Sequence, residues 1–131
     1  MNKPIVHAIF YGYKNKALKE SVASAIENAS PEIDLKVTVY DQNPLIRDSF
    51  FEKLQNCRYI HIYWDYIVSP SSHINSGFSL EDSDYTIVSY GRVLLSKNWD
   101  VELRKLSDDS NSVVSGKNKT MLRQKNLFYL E

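Results

Sequence analysis

Residues 84–106, DYTIVSYGRVLLSKNWDVELRKL, decide how the rest of the chain is interpreted. The first part is a short run of β-branched and aromatic residues, which is typical of a buried strand. The strand is predicted to end at residues 89–92, Ser-Tyr-Gly-Arg, in a solvent-exposed turn. Asn98-Trp99-Asp100 then opens a helix, on which Asp100 and Arg104 are spaced to pair at i and i+4. Any ligand of this chain is expected near the end of this strand.

Strand and helix patterns alternate upstream of this stretch. The nearly continuous apolar run at 5–10, the alternating run at 35–40 and the run at 59–64 predict three strands. Apolar residues at helical spacing between the first two strands predict a helix that stops at Ser30-Pro31. A second helix is predicted from Asn43-Pro44 through Leu54, with Asn43 as its N-cap and proline at its first position.

The order of these elements predicts the fold class. Strand, helix, strand, helix, strand, with helices long enough to cross between parallel neighbours, is typical of doubly wound α/β proteins. Shorter strands follow at 112–115 and 127–130. The sequence therefore predicts a Rossmann-like, mostly parallel sheet flanked by helices, in a single domain that spans residues 1–131.

Composition excludes several classes of partner. The chain has 16 Lys plus Arg and 16 Asp plus Glu, with no block of either sign, so neither a nucleic-acid footprint nor a polybasic membrane surface is expected. No apolar run approaches the ~20 residues of a membrane span, and the first residues lack the layout of a signal peptide. The single cysteine, Cys57, fits a reducing compartment. We therefore expect a cytoplasmic protein, or part of a particle assembled inside the cell.

The predicted strand order also indicates where a ligand would bind. If the first three strands run outward in the order 3-2-1, and the strand at 85–89 pairs on the other side of strand one, the order reverses beside strand one. Ligands of open parallel sheets bind at the carboxyl ends of the strands at such a point. The candidate nucleotide-binding residues around that crevice are Tyr13, Lys14, Asn15, Ser89, Gly91 and Arg92.

Asp41 ends the second strand, one strand away from the crevice. Its carboxylate can accept hydrogen bonds from a sugar or a base. The ring of Tyr13 can stack on a base. It can equally cap the turn before Asn43-Pro44, and the sequence leaves both interpretations open.

Several short motifs follow one another along the chain. The first strand is followed by Gly12-Tyr13-Lys14-Asn15, and the third strand by Trp64-Asp65 and Ser69-Pro70. Asn98-Trp99-Asp100 opens a helix, and the strand Ser112 to Gly116 comes after it. In this order they resemble the nucleotide-sugar-binding half of a GT-A glycosyltransferase of the N-acetylglucosaminyltransferase-like family. That resemblance implies a GT-A-type Rossmann-like fold and a nucleotide sugar, in the first place a UDP-sugar, as the ligand.

The chain departs from that family at the metal site. The family's metal-binding acids, Asp-x-Asp or Asp-x-His, end the strand before the Trp-Asp helix, because the cation bridges the diphosphate. In register these positions are Ser89 and Gly91, which supply no carboxylate. Asp82 and Asp84 have the required spacing but precede the strand, so we expect a solvated turn at the opposite end. A Mn or Mg ion is expected only if the chain is an active transferase. Where no metal ion binds, Arg92 is the residue that would offset the negative charge of the diphosphate.

The resemblance predicts a glycosyltransferase-like protein that binds, or descends from a binder of, a nucleotide sugar. We expect transfer by the chain alone to be weak or absent, because the chain ends about where the acceptor-binding elements of the family begin. The alternative is a non-catalytic structural component of a larger complex or particle, with other proteins as its partners. The absent metal-binding acids and the nine tyrosines favour that alternative.

Overall fold

The computed structural model of the protein describes residues 3–12, 14–42, 48–61, 83–90, 92–110, 114–115 and 127–130. Nine elements lie in these ranges, and their bounds are as follows: β1 Ile5–Gly12, α1 Asn15–Asn28, β2 Asp34–Asp41, α2 Ser49–Glu52, β3 Cys57–His61, β4 Tyr85–Tyr90, α3 Trp99–Ser110, β5 Val114–Ser115 and β6 Leu127–Leu130.

The strands form one sheet in the order β3-β2-β1-β4-β6-β5, and every pairing is parallel. The chain moves outward from β1 to β3 and then returns to place β4 on the other side of β1. The order 3-2-1 with β4 beside β1, on which the expected ligand site depended, is present, and the Rossmann-like α/β class is confirmed. The strand order therefore reverses between β1 and β4, at the predicted position.

The helices pack on one face of this sheet. On that face, apolar side chains of β1, β2 and β4 meet the apolar side of α1, together with Phe51 of α2 and Trp99 of α3. The buried apolar residues of α1 recur at spacings of four and three: Leu18, Val22 and Ala25. Full burial of a side chain as large as valine or leucine contributes roughly 1.5–3 kcal/mol to the free energy of folding. This interface therefore supplies much of the folding energy.

The other face of the sheet is buried as well. Ile9, Tyr40 and Val88 lie there with almost no exposure. His7 is also fully buried on this face, where its Nε2 lies 2.7 Å from Thr38 Oγ1. Burial on both faces explains why β1 reads as a nearly continuous apolar run instead of an alternating one.

The second predicted helix is shorter than expected. Residues 43–47 lie outside the described residues, and the helix that is described, α2, comprises the single turn Ser49–Glu52. Asp48 has an extended backbone and accepts the N–H of Phe50 through its side chain, so Asp48 is the N-cap. A continuous helix from Asn43 through Leu54 is therefore wrong, because the aspartate competes for the backbone at that point.

Residues 92–98, which we call the strap, run from β4 to α3 along the side of α1. The N–H of Val93 donates to Ser21 Oγ at 2.8 Å, and the N–H of Leu95 donates to Ser24 Oγ at 3.0 Å. Asn28 Nδ2 donates to the carbonyl of Leu95 at 2.7 Å. These α1 side chains therefore replace the strand partner that the strap lacks among the described residues.

The start of α3 fastens this helix to the end of α1. Trp99 Nε1 donates to the carbonyl of Ala25 at 2.9 Å, and the N–H of Asn98 donates to the carbonyl of Asn28 at 2.7 Å. Asn98 adopts a positive φ of 60°, a conformation that asparagine tolerates better than most residues. Both bonds satisfy carbonyls of the last turn of α1. The Asn-Trp-Asp motif thus has a structural role in this chain.

Candidate functional site

The candidate site is the carboxyl edge of the sheet where β1 and β4 lie side by side. Tyr11 and Tyr90 are register partners near the ends of these two strands. Gly12 ends β1, and α1 begins three residues later at Asn15. The strap leaves β4 at the same edge, so the start of α1 and the start of the strap meet there.

An open depression of about 400 Å³ lies between the start of α1 and the start of the strap. Its lining consists of five residues: Lys14, Lys16, Ala17, Glu20 and Arg92. The structure therefore brings together Lys14 and Arg92, two of the residues predicted from sequence. Lys16 and Glu20 were missed, although their place in the first turns of a helix that follows a strand was a usable signal.

The backbone of α1 adds to the positive character of this depression. Lys14 is the N-cap, with an extended backbone (φ −95°, ψ 103°) and no side-chain capping bond to the helix. No acidic residue lies in the first turn of α1. The N–H groups of that turn carry the positive end of the helix dipole, which favours an anion.

One carboxylate already occupies part of the depression. Arg92 Nε donates a hydrogen bond to Glu20 Oε2, and the two side chains form an ion pair. This hydrogen bond holds the pKa of Glu20 below its usual range. The Arg92 side chain nonetheless remains 60% exposed. Of the described residues that line the depression, three are cationic and one, Glu20, is a carboxylate, so an incoming anion would compete with Glu20 for Arg92.

The remaining predicted residues near β4 and α1 differ in their accessibility. Ser89 is buried on the helix-covered face, beside Phe10, and its Oγ has no hydrogen-bond partner within the described part of the chain. Asn15 is the first residue of α1, and its side chain lies outside the description. Tyr13 and Gly91 both lie outside the described residues.

Asp41 is fully buried and belongs to a hydrogen-bonded network. Tyr59 donates its hydroxyl to Asp41 Oδ2 at 2.6 Å and accepts the N–H of Asp48 at 2.9 Å. Asp48 in turn pairs with Lys19 of α1 at 2.7 Å, and the ring of His61 stacks on Tyr59. This network ties β2, β3, α2 and α1 together. Its geometry favours a structural role for Asp41 over contact with a ligand.

The residues present do not fit the family's metal site. Asp84 lies at the amino end of β4, where its carboxylate accepts the N–H of Ile5 at 2.8 Å, and Asp82 lies outside the described residues. Asp84 is therefore at the opposite edge of the sheet from Arg92. Within the described ranges, no three His, Cys, Asp or Glu side chains converge as metal ligands.

An aromatic pair lies at the same carboxyl edge, on the face of the sheet opposite α1. The ring centroids of Tyr11 and Tyr90 are 4.6 Å apart, and the ring planes are inclined by 32°. Tyr11 is buried, whereas Tyr90 is 42% exposed. The sequence showed an excess of tyrosines but did not indicate which of them would meet here.

The protein is therefore a parallel α/β protein of Rossmann-like topology. A basic depression lies at the carboxyl edge of its sheet, where the strand order reverses between β1 and β4. No protein-family model matches the chain, and no curated protein is significantly similar to it. In the ranges that the structure describes, no helix has the length and apolar character needed to cross a membrane.

Proposed function

We propose that this protein binds the diphosphate of a nucleotide sugar, in the first place a UDP-sugar, in the basic depression at the start of α1. The observation that carries the proposal is that Lys14, Lys16 and Arg92 line one depression beside the first two turns of α1. Cationic side chains and free helix N–H groups are the two features that recur in phosphate sites of parallel α/β proteins.

The proposal includes the glycosyltransferase-like character suggested by the sequence motifs, with weak or no transfer. A transferase needs a charge that stabilises the leaving diphosphate, and Ser89 cannot supply a metal-binding carboxylate at the expected position. Arg92 carries a fixed positive charge in the depression and is the residue proposed to take over that task. Its pairing with Glu20 weakens this contribution, which is consistent with a binding protein more than with an efficient enzyme.

Calorimetric titration of the full chain with UDP, UDP-GlcNAc, GDP and inorganic pyrophosphate tests the proposal. We expect saturable binding of the uridine ligands that is unchanged by manganese, because the one carboxylate among the described lining residues, Glu20, is already paired with Arg92. Loss of one charged contact costs about tenfold in affinity, so Lys14→Ala and Arg92→Ala should each raise Kd by about that factor. Lys105→Ala, which removes an exposed lysine on α3, is the charge-matched control and should change nothing.

Two results would refute this proposal. Absence of binding at millimolar concentrations of all four ligands would exclude a nucleotide-sugar site. An equal loss of affinity in Lys105→Ala and Arg92→Ala would show that only net charge, and no defined depression, attracts the anion.

A structural or assembly role is the second candidate. Among the residues whose side chains are described, four large apolar ones are more than a third exposed: Ile26, Tyr90, Leu94 and Leu106. Leu94 is the most exposed of them, although hydrogen bonds from both neighbouring residues hold the strap against α1. Isolated exposed apolar residues are common, so this role requires a partner that covers Leu94. Failure of all nucleotide titrations, with retained folding, would make this role the leading hypothesis.

A further inference from the structure

We infer that Tyr90 is the ring on which the base of the bound nucleotide stacks, and this inference rests on the proposed function. It adds a second part to the site, because the described residues that line the depression at α1 include cations that can recognise phosphate but no aromatic ring. Tyr90 therefore decides whether the site distinguishes a nucleotide from a bare diphosphate.

The first argument is the exposure of Tyr90. The three residues before it in β4, Ile87, Val88 and Ser89, are all buried, whereas Tyr90 is 42% exposed. One side of its ring is supported by Tyr11, whose ring centroid is 4.6 Å away. A tyrosine that packs against a neighbouring ring and still exposes much of its own surface is suited to stack on a planar ligand, because every base has a π-face.

The second argument is the distance to the phosphate-binding part of the site. Tyr90 and Arg92 are two residues apart, so their Cα atoms are separated by at most about 7 Å. Tyr90 lies on the face opposite α1, and Arg92 pairs with Glu20 of α1, so a ligand that touches both must cross the carboxyl edge of the sheet. Ligands of open parallel sheets lie across this edge at the switch point.

The competing explanation is that Tyr11 and Tyr90 form only a cross-strand pair. Aromatic pairs on neighbouring strands stabilise sheets without any ligand. In that case Tyr90 would affect folding but would not discriminate between ligands. The two explanations predict different results when a base-containing ligand is compared with pyrophosphate.

The experiment measures the Kd of UDP and of inorganic pyrophosphate for the wild type, Tyr90→Leu and Tyr90→Phe. Loss of a stacked base costs about tenfold, so Tyr90→Leu should weaken UDP by about that factor and leave pyrophosphate unchanged. Tyr90→Phe keeps the ring and should bind both ligands as the wild type does. Leucine retains apolar contact with Tyr11, so folding should survive, and a thermal melt checks this.

A second measurement follows the base directly. The ring current of Tyr90 should shift the uracil proton resonances of UDP upfield when it binds, and this shift should disappear in Tyr90→Leu. Wild-type affinity that is equal for UDP and pyrophosphate would overturn the inference and leave the phosphate site standing. An equal loss of affinity for UDP and for pyrophosphate in Tyr90→Leu would also overturn the inference, because the ring would then only stabilise the carboxyl edge of the sheet. No binding of either ligand by the wild type would overturn the inference and the proposed function together.

Discussion

Replacement of Asp100 by alanine should destabilise the protein severely, although Asp100 is far from the candidate site. Asp100 lies in the first turn of α3 and is 1% exposed. Its carboxylate accepts the N–H of Ser30 at 2.7 Å and the hydroxyl of Ser30 at 2.5 Å. Arg104, one turn later, is 3.5 Å from the same carboxylate, so the predicted pairing at i and i+4 is confirmed.

The expected magnitude follows from these contacts. Each hydrogen bond to a charged group contributes roughly 1.5–3 kcal/mol, and Asp100→Ala removes two of them inside the protein. It also leaves the N–H of Ser30 buried without this acceptor and, of the carboxylates that the structure describes near Arg104, leaves only Glu32. We expect a loss of about 3–5 kcal/mol in the free energy of unfolding. That is a large part of the 5–15 kcal/mol that is typical of a domain.

Urea denaturation followed by circular dichroism measures this loss. Ser30→Ala removes only the hydroxyl and should cost about 2 kcal/mol. Because Ser30 and Asp100 interact directly, the double variant should cost less than the sum of the single variants by roughly 1.5–3 kcal/mol. Glu102→Ala removes an exposed acid from the same helical turn and should cost less than about 1 kcal/mol. A cost below about 1 kcal/mol for Asp100→Ala, or strict additivity in the double variant, would refute this account of the contact between α1 and α3.

Two further predictions concern Glu20 and Cys57. Glu20→Gln removes the carboxylate that competes for Arg92, so the affinity for pyrophosphate should rise several-fold in calorimetry; an unchanged Kd would mean that Glu20 does not compete. Burial raises the pKa of the Cys57 thiol from 9.0 to about 11, so at pH 8 the folded protein should react with iodoacetamide about 100-fold more slowly than the chain unfolded in guanidinium chloride. The rate should increase about tenfold for each pH unit up to the raised pKa, and equal rates for folded and unfolded protein would contradict the burial of this thiol.

Local patterns in the sequence were sufficient for the fold class and for most of its strands. The apolar run of β1 and the alternation of strands with helices depend on neighbouring residues, and they predicted a mostly parallel sheet. The reversal beside β1 entered only as a condition on the strand order. The position of Asp84 followed from the same reasoning, because a residue that precedes a parallel strand must lie at its amino edge. Lys14 and Arg92 could be placed at one edge for the related reason that both follow the ends of adjacent strands.

Contacts between distant residues were decided only by the tertiary structure. Ser30 and Asp100 are 70 positions apart, and Ser21 and Val93 are 72 apart, so no local pattern indicates that α1 would hold the strap and α3. Asp41 and Tyr90 each end a strand, yet one is buried under a tyrosine hydroxyl and the other is exposed. The sequence by itself determined which segments form strands and helices, because periodicity is a local property, whereas their order in the sheet was decided by the tertiary structure. Which strand-end side chains reach the solvent depends on what packs over them, and only the folded chain decides that.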